Sequence, residues 1–165
     1  IDAFDKEILT CFGSLKDSSI FESLPASGDI MAPRLLAVLG TDRRRITSAS
    51  NLQMITGIAP VVERSGKQCW VHWRYCCSKF IRQSFHEWAG ATIVHCSWAK
   101  AYYAMQRQKG ISHPSAVRKL AFKWERIVFR MWQNREPYSE AKYLLSLQRS
   151  HSPIIAFMAA HPELA

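Results

Sequence analysis

Most of the chain repeats apolar side chains every three or four residues, which places them on one side of an α-helix. A first helix is predicted over residues 2–15. A Pro/Gly-containing turn at 25–28 precedes another helix that ends at Gly40, with Pro33 in its first turn. A short helical turn is expected between these two, at residues 19–24. Further helices are predicted over residues 48–55, 77–89, 95–109, 112–133 and 139–149, and the tail after them is expected to be loosely attached.

One segment, residues 60–75, departs from the helical pattern. It is rich in β-branched and aromatic side chains, and the turn-forming run Arg64-Ser65-Gly66-Lys67 divides it. The chain is therefore predicted to be mainly α. It is a helical domain with a helix-hairpin-helix-like N-terminal part and a short β-hairpin or extended loop carrying Ser65. We expect one domain over residues 1–165, made of a linker helix (1–18), a core (19–149) and a tail (150–165).

Charge is distributed unevenly. The net charge is +9, but residues 34–130 hold seventeen basic and four acidic side chains, whereas residues 1–33 are acidic overall. Such a basic segment indicates a polyanionic partner, and nucleic acid is the leading candidate. A membrane surface would favour basic residues on a single amphipathic helix, and no apolar run is long enough to span a bilayer. A cytoplasmic protein without a signal peptide is expected.

The metal-ligating and acidic residues are sparse. The five cysteines include no CxxC pair, and no HxxxH occurs, so we expect buried free thiols and no metal site in this chain. The basic region contains few, widely spaced carboxylates, which argues against a metal-dependent phosphoryl-transfer site within it. GxSxG, Walker and dinucleotide-binding motifs are also missing from the sequence.

Ser65 is the best local candidate for a nucleophile. Arg64 and Lys67 flank it and Gly66 gives the backbone freedom, an arrangement suited to presenting a hydroxyl to a phosphodiester. Serine is a weak nucleophile that needs cations, a base or a metal, and Ser-Gly is also a common turn dipeptide, so the residues alone leave both interpretations open. The candidate phosphate ligands are Arg43, Arg44, Arg45, Arg64, Lys67, Arg74, Lys79 and Arg82.

Aromatic and histidine side chains around this segment have competing interpretations. Core packing is favoured over a base-stacking platform because their spacing is that of regular elements. These aromatic residues are Trp70, Trp73, Tyr102, Tyr103 and Trp124. No catalytic role is assigned to His72, His86 or His95.

An ordered set of short motifs resembles a known family. The chain is similar to the C-terminal transposase domain of DEDD-type insertion-sequence recombinases, the IS-one-ten group, which includes the pilin-gene invertases. The resemblance covers about residues 20–143. The motifs are Leu24-Pro25…Gly28, Leu36-Ala37…Leu39-Gly40, Gly57-Ile58-Ala59-Pro60, Ser65-Gly66-Lys67, Lys79-Phe80-Ile81-Arg82, Trp98-Ala99-Lys100-Ala101-Tyr102-Tyr103, Ala121-Phe122-Lys123-Trp124 and Pro137-Tyr138.

The resemblance implies a specific chemistry. Ser65 corresponds to a serine that attacks DNA and forms a covalent phosphoserine link, and Mg²⁺ is held by four carboxylates of a separate RuvC-like domain, so no cofactor is expected here. DNA is the implied partner, together with a structured guide (bridge) RNA, and a homo-oligomer is expected in action. Members often read Pro-Gly-x-Gly where this chain has Pro25-Ala26-Ser27-Gly28, and losing the first glycine removes a residue suited to positive φ.

Two rival functions remain open at this point. The first is a non-catalytic helical DNA- or RNA-binding module in which Ser65 is only a turn residue. The second is a helical interaction domain whose charge keeps it in solution. The leading hypothesis is a DNA recombinase domain that is inactive when isolated.

Overall fold

The structure, a computed structural model, describes residues 2–164. Helices dominate it, and one two-stranded antiparallel sheet interrupts them, so the predicted mainly α class is confirmed. The helices in chain order are α1 (Asp2–Ser14), α2 (Ser18–Glu22), α3 (Gly28–Leu39), α4 (Ala49–Ile55), α5 (Lys79–His95), α6 (Ser97–Gln108), α7 (His113–Asn134), α8 (Glu140–Arg149) and α9 (Pro153–Ala160). The strands are β1 (Val61–Ser65) and β2 (Gln68–His72), and 3-10 turns occupy Arg43–Arg45 and Pro162–Leu164.

Serine hydroxyls fix several helix starts. At α4, α5, α8 and α9 the side chain of the preceding serine accepts a hydrogen bond from a backbone N–H of the first turn. Each such cap stabilises its helix by about 1 kcal/mol because it satisfies an otherwise unpaired donor. The capping residues are Ser48, Ser78, Ser139 and Ser152.

The core is built around α7, which packs against α4, α5 and α6. Tryptophans fill it: the ring of Trp124 lies 5.0 Å from that of Trp88 and 4.6 Å from that of Trp98, measured between centroids. Every fully buried indole N–H finds an acceptor, so the burial leaves no unsatisfied donor. The donor and acceptor pairs are Trp88 with the Pro25 carbonyl, Trp98 with the Tyr138 hydroxyl, Trp124 with the Thr92 hydroxyl, and Trp132 with the Gly40 carbonyl.

The boundary predicted at Gly90 is wrong. Helix α5 begins at Lys79 and continues through Gly90 to His95, and Cys96 then separates it from α6. A Cβ on Gly90 would lie 3.7 Å from Val117 Cγ1, so this glycine sits where α5 and α7 approach each other closely. Packing between the helices outweighs the modest cost of one glycine inside a helix.

The tail is not loosely attached. Residues 153–160 form α9, with Pro153 at its first position and Ile154 only 2% exposed. The helix packs against α6 and α8. Its apolar residues surround the whole helix, so no amphipathic stripe marked it in the sequence.

The N-terminal turn also departs from expectation. Helix α3 begins at Gly28, so Pro33 lies inside it instead of in its first turn. Ala26 has φ of 55°, and Gly28 has φ of 48°. Ala26, the residue that departs from the Pro-Gly-x-Gly motif of the resembled family, therefore adopts the left-handed conformation at a steric cost of about 1–2 kcal/mol.

The expectation of buried thiols holds only in part. Cys96 is buried and desolvation raises its pKa to about 12, whereas Cys11, Cys69 and Cys76 are exposed. Within residues 2–164, no helix is both long and apolar enough to cross a membrane.

Candidate active-site hairpin

Ser65 is the last residue of β1. It pairs with Gln68, so a two-residue turn of Gly66 and Lys67 joins the strands and the predicted hairpin is confirmed. Gly66 has φ of 57° at the first central position, the feature of a type II′ turn, which matches the twist of the flanking strands. Ser65 itself lies on the strand, not within the turn as the sequence suggested, and its side chain is exposed.

The strand register divides the hairpin into two faces. Ser65 shares its face with Glu63 on β1 and with Trp70 and His72 on β2. The Oε2 atom of Glu63 lies 3.4 Å from Nε2 of His72, and both side chains are about half exposed. Trp70 is diagonally opposite Ser65, a relation that separates Cα atoms by about 7–8 Å.

Trp70 and Trp73 contradict the expectation that the aromatic residues form core, since they are 44% and 42% exposed. Among the described residues, Trp70 has no cation over its ring. Every residue of the two strands except Val61 is exposed, including Val62 and Val71 on the opposite face. The hairpin therefore projects from the helices with apolar and cationic side chains available to a partner.

The base of the hairpin is firmly attached. The ring of Trp73 contacts two guanidinium groups, with Cζ of Arg82 at 5.1 Å and Cζ of Arg118 at 4.5 Å from its centroid. Arg74 donates to the carbonyl of Ala59 at 3.2 Å, and Arg82 donates to the carbonyl of Arg74 at 3.1 Å. Arg74 and Arg82, which were expected to bind phosphate, thus hold the hairpin in place, and any phosphate contact of theirs remains a prediction.

Gly57 brings the two ends of this segment together. Its φ is 75°, and a Cβ built there would fall 2.2 Å from Cys77 Sγ. Any larger residue therefore clashes with the chain that leaves β2. The amide of Ala59 also donates to the carbonyl of Gln53, so the Gly57-Ile58-Ala59-Pro60 motif fixes where β1 begins.

The arginine run 43–45 serves the fold more than its sequence suggested. Arg43 forms a part-buried ion pair with the buried Asp17, donates to the Trp132 carbonyl at 3.0 Å and lies 4.9 Å from the centroid of the Trp132 ring. Its hydrogen bonds hold the pKa of the Asp17 carboxyl below its usual value. The guanidinium of Arg43 is thus engaged within the protein, and a phosphate contact of Arg43 remains a prediction.

The other predicted cations are more accessible. Arg44 is exposed and pairs with Asp42 at 3.0 Å, while Arg45 donates to the Val38 carbonyl. Arg64 and Lys67 beside Ser65 are exposed, as is Lys79 at the start of α5. Within residues 2–164, none of these last three forms an ion pair.

Ser65 has no activating group arranged around it. Glu63 is two residues away along β1, about 7 Å, and its partner His72 lies farther from the tip. The described residues contain no cluster of His, Cys, Asp and Glu side chains that could hold a metal ion. The hairpin thus presents an exposed serine hydroxyl and cations, and the described residues do not fit a magnesium site.

The hairpin and its supporting motifs lie where the chain matches known transposases. A family model described as the IS116/IS110/IS902 transposase family matches residues 18–104. The chain belongs to this transposase family.

Two curated relatives are consistent with that assignment. The transposase chain is 29% identical over 154 residues to the mini-circle putative transposase for IS117 of Streptomyces coelicolor, covering 93% of this chain and 36% of that protein. It is 25% identical over 140 residues to the insertion element IS116 uncharacterized 44.8 kDa protein of Streptomyces clavuligerus, covering 83% and 34%. The chain therefore spans about a third of the length of these relatives.

Sequence reasoning missed one unusual feature of this transposase chain, a carboxyl group inside the core. Glu125 on α7 is fully buried, and neither of its oxygens has a hydrogen-bond partner among the described residues. Burial raises its pKa to about 8, and the nearby Thr56 hydroxyl lowers it by a smaller amount. In the sequence, a glutamate among basic residues is expected on the surface. The burial of Glu125 becomes visible only when α7 packs against α4.

Proposed function

We propose that this chain is the serine-bearing, DNA-binding part of a transposase that cuts and joins DNA through Ser65. The observation that carries the proposal is the position of Ser65: exposed at the tip of a projecting hairpin, between two unpaired cations, in a chain of this family. Arg64 and Lys67 neutralise phosphate charge, and the bare ring of Trp70 offers a surface on which a base can stack.

The reaction is a transesterification. A bond forms between Ser65 Oγ and phosphorus, and the bond between phosphorus and one deoxyribose oxygen breaks. The serine proton passes to a base, and the released deoxyribose oxygen takes up a proton. A deoxyribose hydroxyl of another strand later displaces Ser65, so the number of phosphodiester bonds is conserved and no ATP is needed.

Activation of Ser65 is assigned to groups outside this chain. A lone serine reacts too slowly without a base or metal, and the acid–base residues of the hairpin, Glu63 and His72, pair with each other at 3.4 Å about 7 Å or more from Ser65 along the strands. Mg²⁺ bound by a RuvC-like domain, a guide RNA and a second copy of the protein are therefore part of the proposal. Recombination of two duplexes needs at least a dimer.

The test uses the complete transposase with labelled donor DNA and magnesium. Reactions are denatured and digested, and mass spectrometry searches for a DNA-linked peptide containing Ser65. We expect this adduct in the wild type and in the control Ser50→Ala, an exposed serine on α4, and neither adduct nor recombination in Ser65→Ala.

The same experiment addresses the binding-module alternative. Ser65→Ala that recombines DNA at the wild-type rate would overturn the proposal and leave a non-catalytic nucleic-acid-binding domain. Binding alone does not decide, because both functions require a salt-sensitive association with DNA.

A further inference from the structure

Helix α7 carries a row of positive charges that is separate from the hairpin. Lys119, Lys123, Arg126 and Arg130 follow one another at intervals of four, three and four residues, so they lie on one face of the helix over about 17 Å. The single acidic residue in the sequence of α7 is Glu125, which is buried within the core and not on this row.

Part of this row lines a concave surface. A cleft of about 660 Å³ lies between α7 and α8, and Lys123, Arg126 and Arg130 contribute one wall. Lys142 and Tyr143 of α8 contribute to the other.

The lining of the cleft leaves most of this positive charge uncompensated. The one acidic residue among those lining the cleft is Glu136, and it pairs with Lys142 of α8 at 3.9 Å. Its charge therefore does not compensate the cations of α7. In the part of the chain that the structure describes, none of the three α7 cations forms a salt bridge.

The cations are also crowded and partly dehydrated. Lys123 is half-buried, with Nζ 5.3 Å from the centroid of the Tyr102 ring. Burial and the neighbouring charge of Arg126 lower the pKa of Lys123. Like charges held together in a partly dry groove are unfavourable until an anion enters, so the arrangement favours binding of a negatively charged group.

We infer that the α7–α8 cleft binds the phosphodiester backbone of a nucleic acid, as a second contact surface remote in sequence from the Ser65 hairpin. The row extends beyond the cleft to Lys119, which suits a strand better than a compact anion. Tyr138, Tyr143 and Phe129 line the same cleft but pack against core tryptophans, so the cationic side chains carry the proposed contact. The inference rests on the proposed function, since nucleic acid is the substrate there.

The test measures binding of labelled duplex DNA and of single-stranded RNA by fluorescence anisotropy over a series of salt concentrations. Arg126 and Arg130 are both exposed, so Arg126→Gln/Arg130→Gln is expected to keep the fold, which circular dichroism checks. We expect affinity to fall on the order of tenfold, and the slope of log affinity against log salt to lose about 1.4–1.8 because two phosphate contacts disappear.

A matched control has the same change in net charge. Lys109→Gln/Arg149→Gln removes two exposed cations outside α7 and is expected to change the slope by less than half as much. A slope loss specific to the α7 variant supports the cleft, and the nucleic acid on which it occurs identifies the source of the phosphates. A loss no larger than the control on both nucleic acids overturns the inference.

A third variant, Arg64→Gln/Lys67→Gln, separates failure of the cleft from failure of the proposed function. If it weakens binding while the α7 variant matches the control, the hairpin contacts nucleic acid and the cleft does not. If the wild type binds neither nucleic acid at low salt, both the proposed cleft contact and the proposed DNA-binding function are overturned.

Discussion

The buried glutamate predicts an unusual pH dependence of stability. Glu125 has a pKa of about 8 in the folded protein, against 4.5 for an ordinary glutamate, because its oxygens lie away from water without partners. The folded state therefore holds this proton up to a higher pH than the unfolded chain does. Its contribution to stability is intact below about pH 4.5 and declines as the pH rises from there to about 8.

The size of the effect follows from that interval. One pKa unit corresponds to about 1.4 kcal/mol, so ionising Glu125 costs the fold about 5 kcal/mol above pH 8 and about 3 kcal/mol between pH 5.5 and 8.5. Replacing Glu125 by Gln keeps the shape and removes the charge. The stability of the variant relative to wild type is therefore expected to rise by about 3 kcal/mol across that range.

Urea unfolding followed by circular dichroism at several pH values measures this difference. Comparison at each pH cancels other titrating groups, and Glu22→Gln, an exposed glutamate, controls for loss of one carboxyl. A difference between Glu125→Gln and wild type that stays constant from pH 5.5 to 8.5 would refute the reasoning. It would mean that water or a cation reaches the carboxylate.

Three further predictions concern the turn, the ion pair and the hairpin base. Ala26→Gly is expected to raise the free energy of unfolding by about 0.5–1 kcal/mol, since it relieves a positive φ, and an unchanged urea midpoint would contradict this. Asp17→Asn leaves Arg43 without its buried partner and is expected to cost about 3 kcal/mol at pH 7. That cost should shrink below pH 3.8, where Asp17 loses its charge as the pH falls through its lowered pKa. Trp73→Leu is expected to increase hydrogen exchange of amides 61–72 with little change in α7, whereas unaltered exchange would show that the two guanidinium groups do not hold the hairpin.

Periodicity and turn chemistry predicted most of the fold. Helices α3, α4, α7 and α8 begin and end within about two residues of residue patterns that carry caps or glycine stops, and the hairpin follows from β-branched residues around Ser-Gly. Helix α9 was not predicted, because it is apolar on all sides and lacks the one-sided apolar pattern of an amphipathic helix. The sequence predicted a helix end at Gly90. The glycine instead allows α5 to pack closely against Val117 of α7, and a distance between helices is not visible in the sequence.

The candidate site was harder to predict than the fold, because local residue types do not show tertiary partners. Arg43 and Arg44 are neighbours in one arginine run, yet Arg43 is half-buried against Asp17 and Arg44 is exposed. Trp70 and Trp73 are three residues apart, yet among the described residues two guanidinium groups lie over the ring of Trp73 and none over that of Trp70. The resemblance to a family pointed to Ser65, whereas the row on α7 follows from helical spacing once the length of that helix is known.

The contrast between the two ends of the hairpin bears on how the proposed chemistry is divided. A two-stranded hairpin is marginally stable in water, so its orientation depends on the contacts at its base, where Trp73, Arg82 and Arg118 meet and Gly57 allows close packing. Among the described residues the tip has no such contacts, and none places a base within hydrogen-bonding reach of Ser65. The helical core therefore determines where the serine is held, while its reactivity in the proposed mechanism depends on groups brought by DNA, a metal and a further domain. Changes at the base should alter the rate of strand cleavage without altering binding at the α7–α8 cleft, because Trp73, Arg82 and Arg118 are not among the residues that line that cleft.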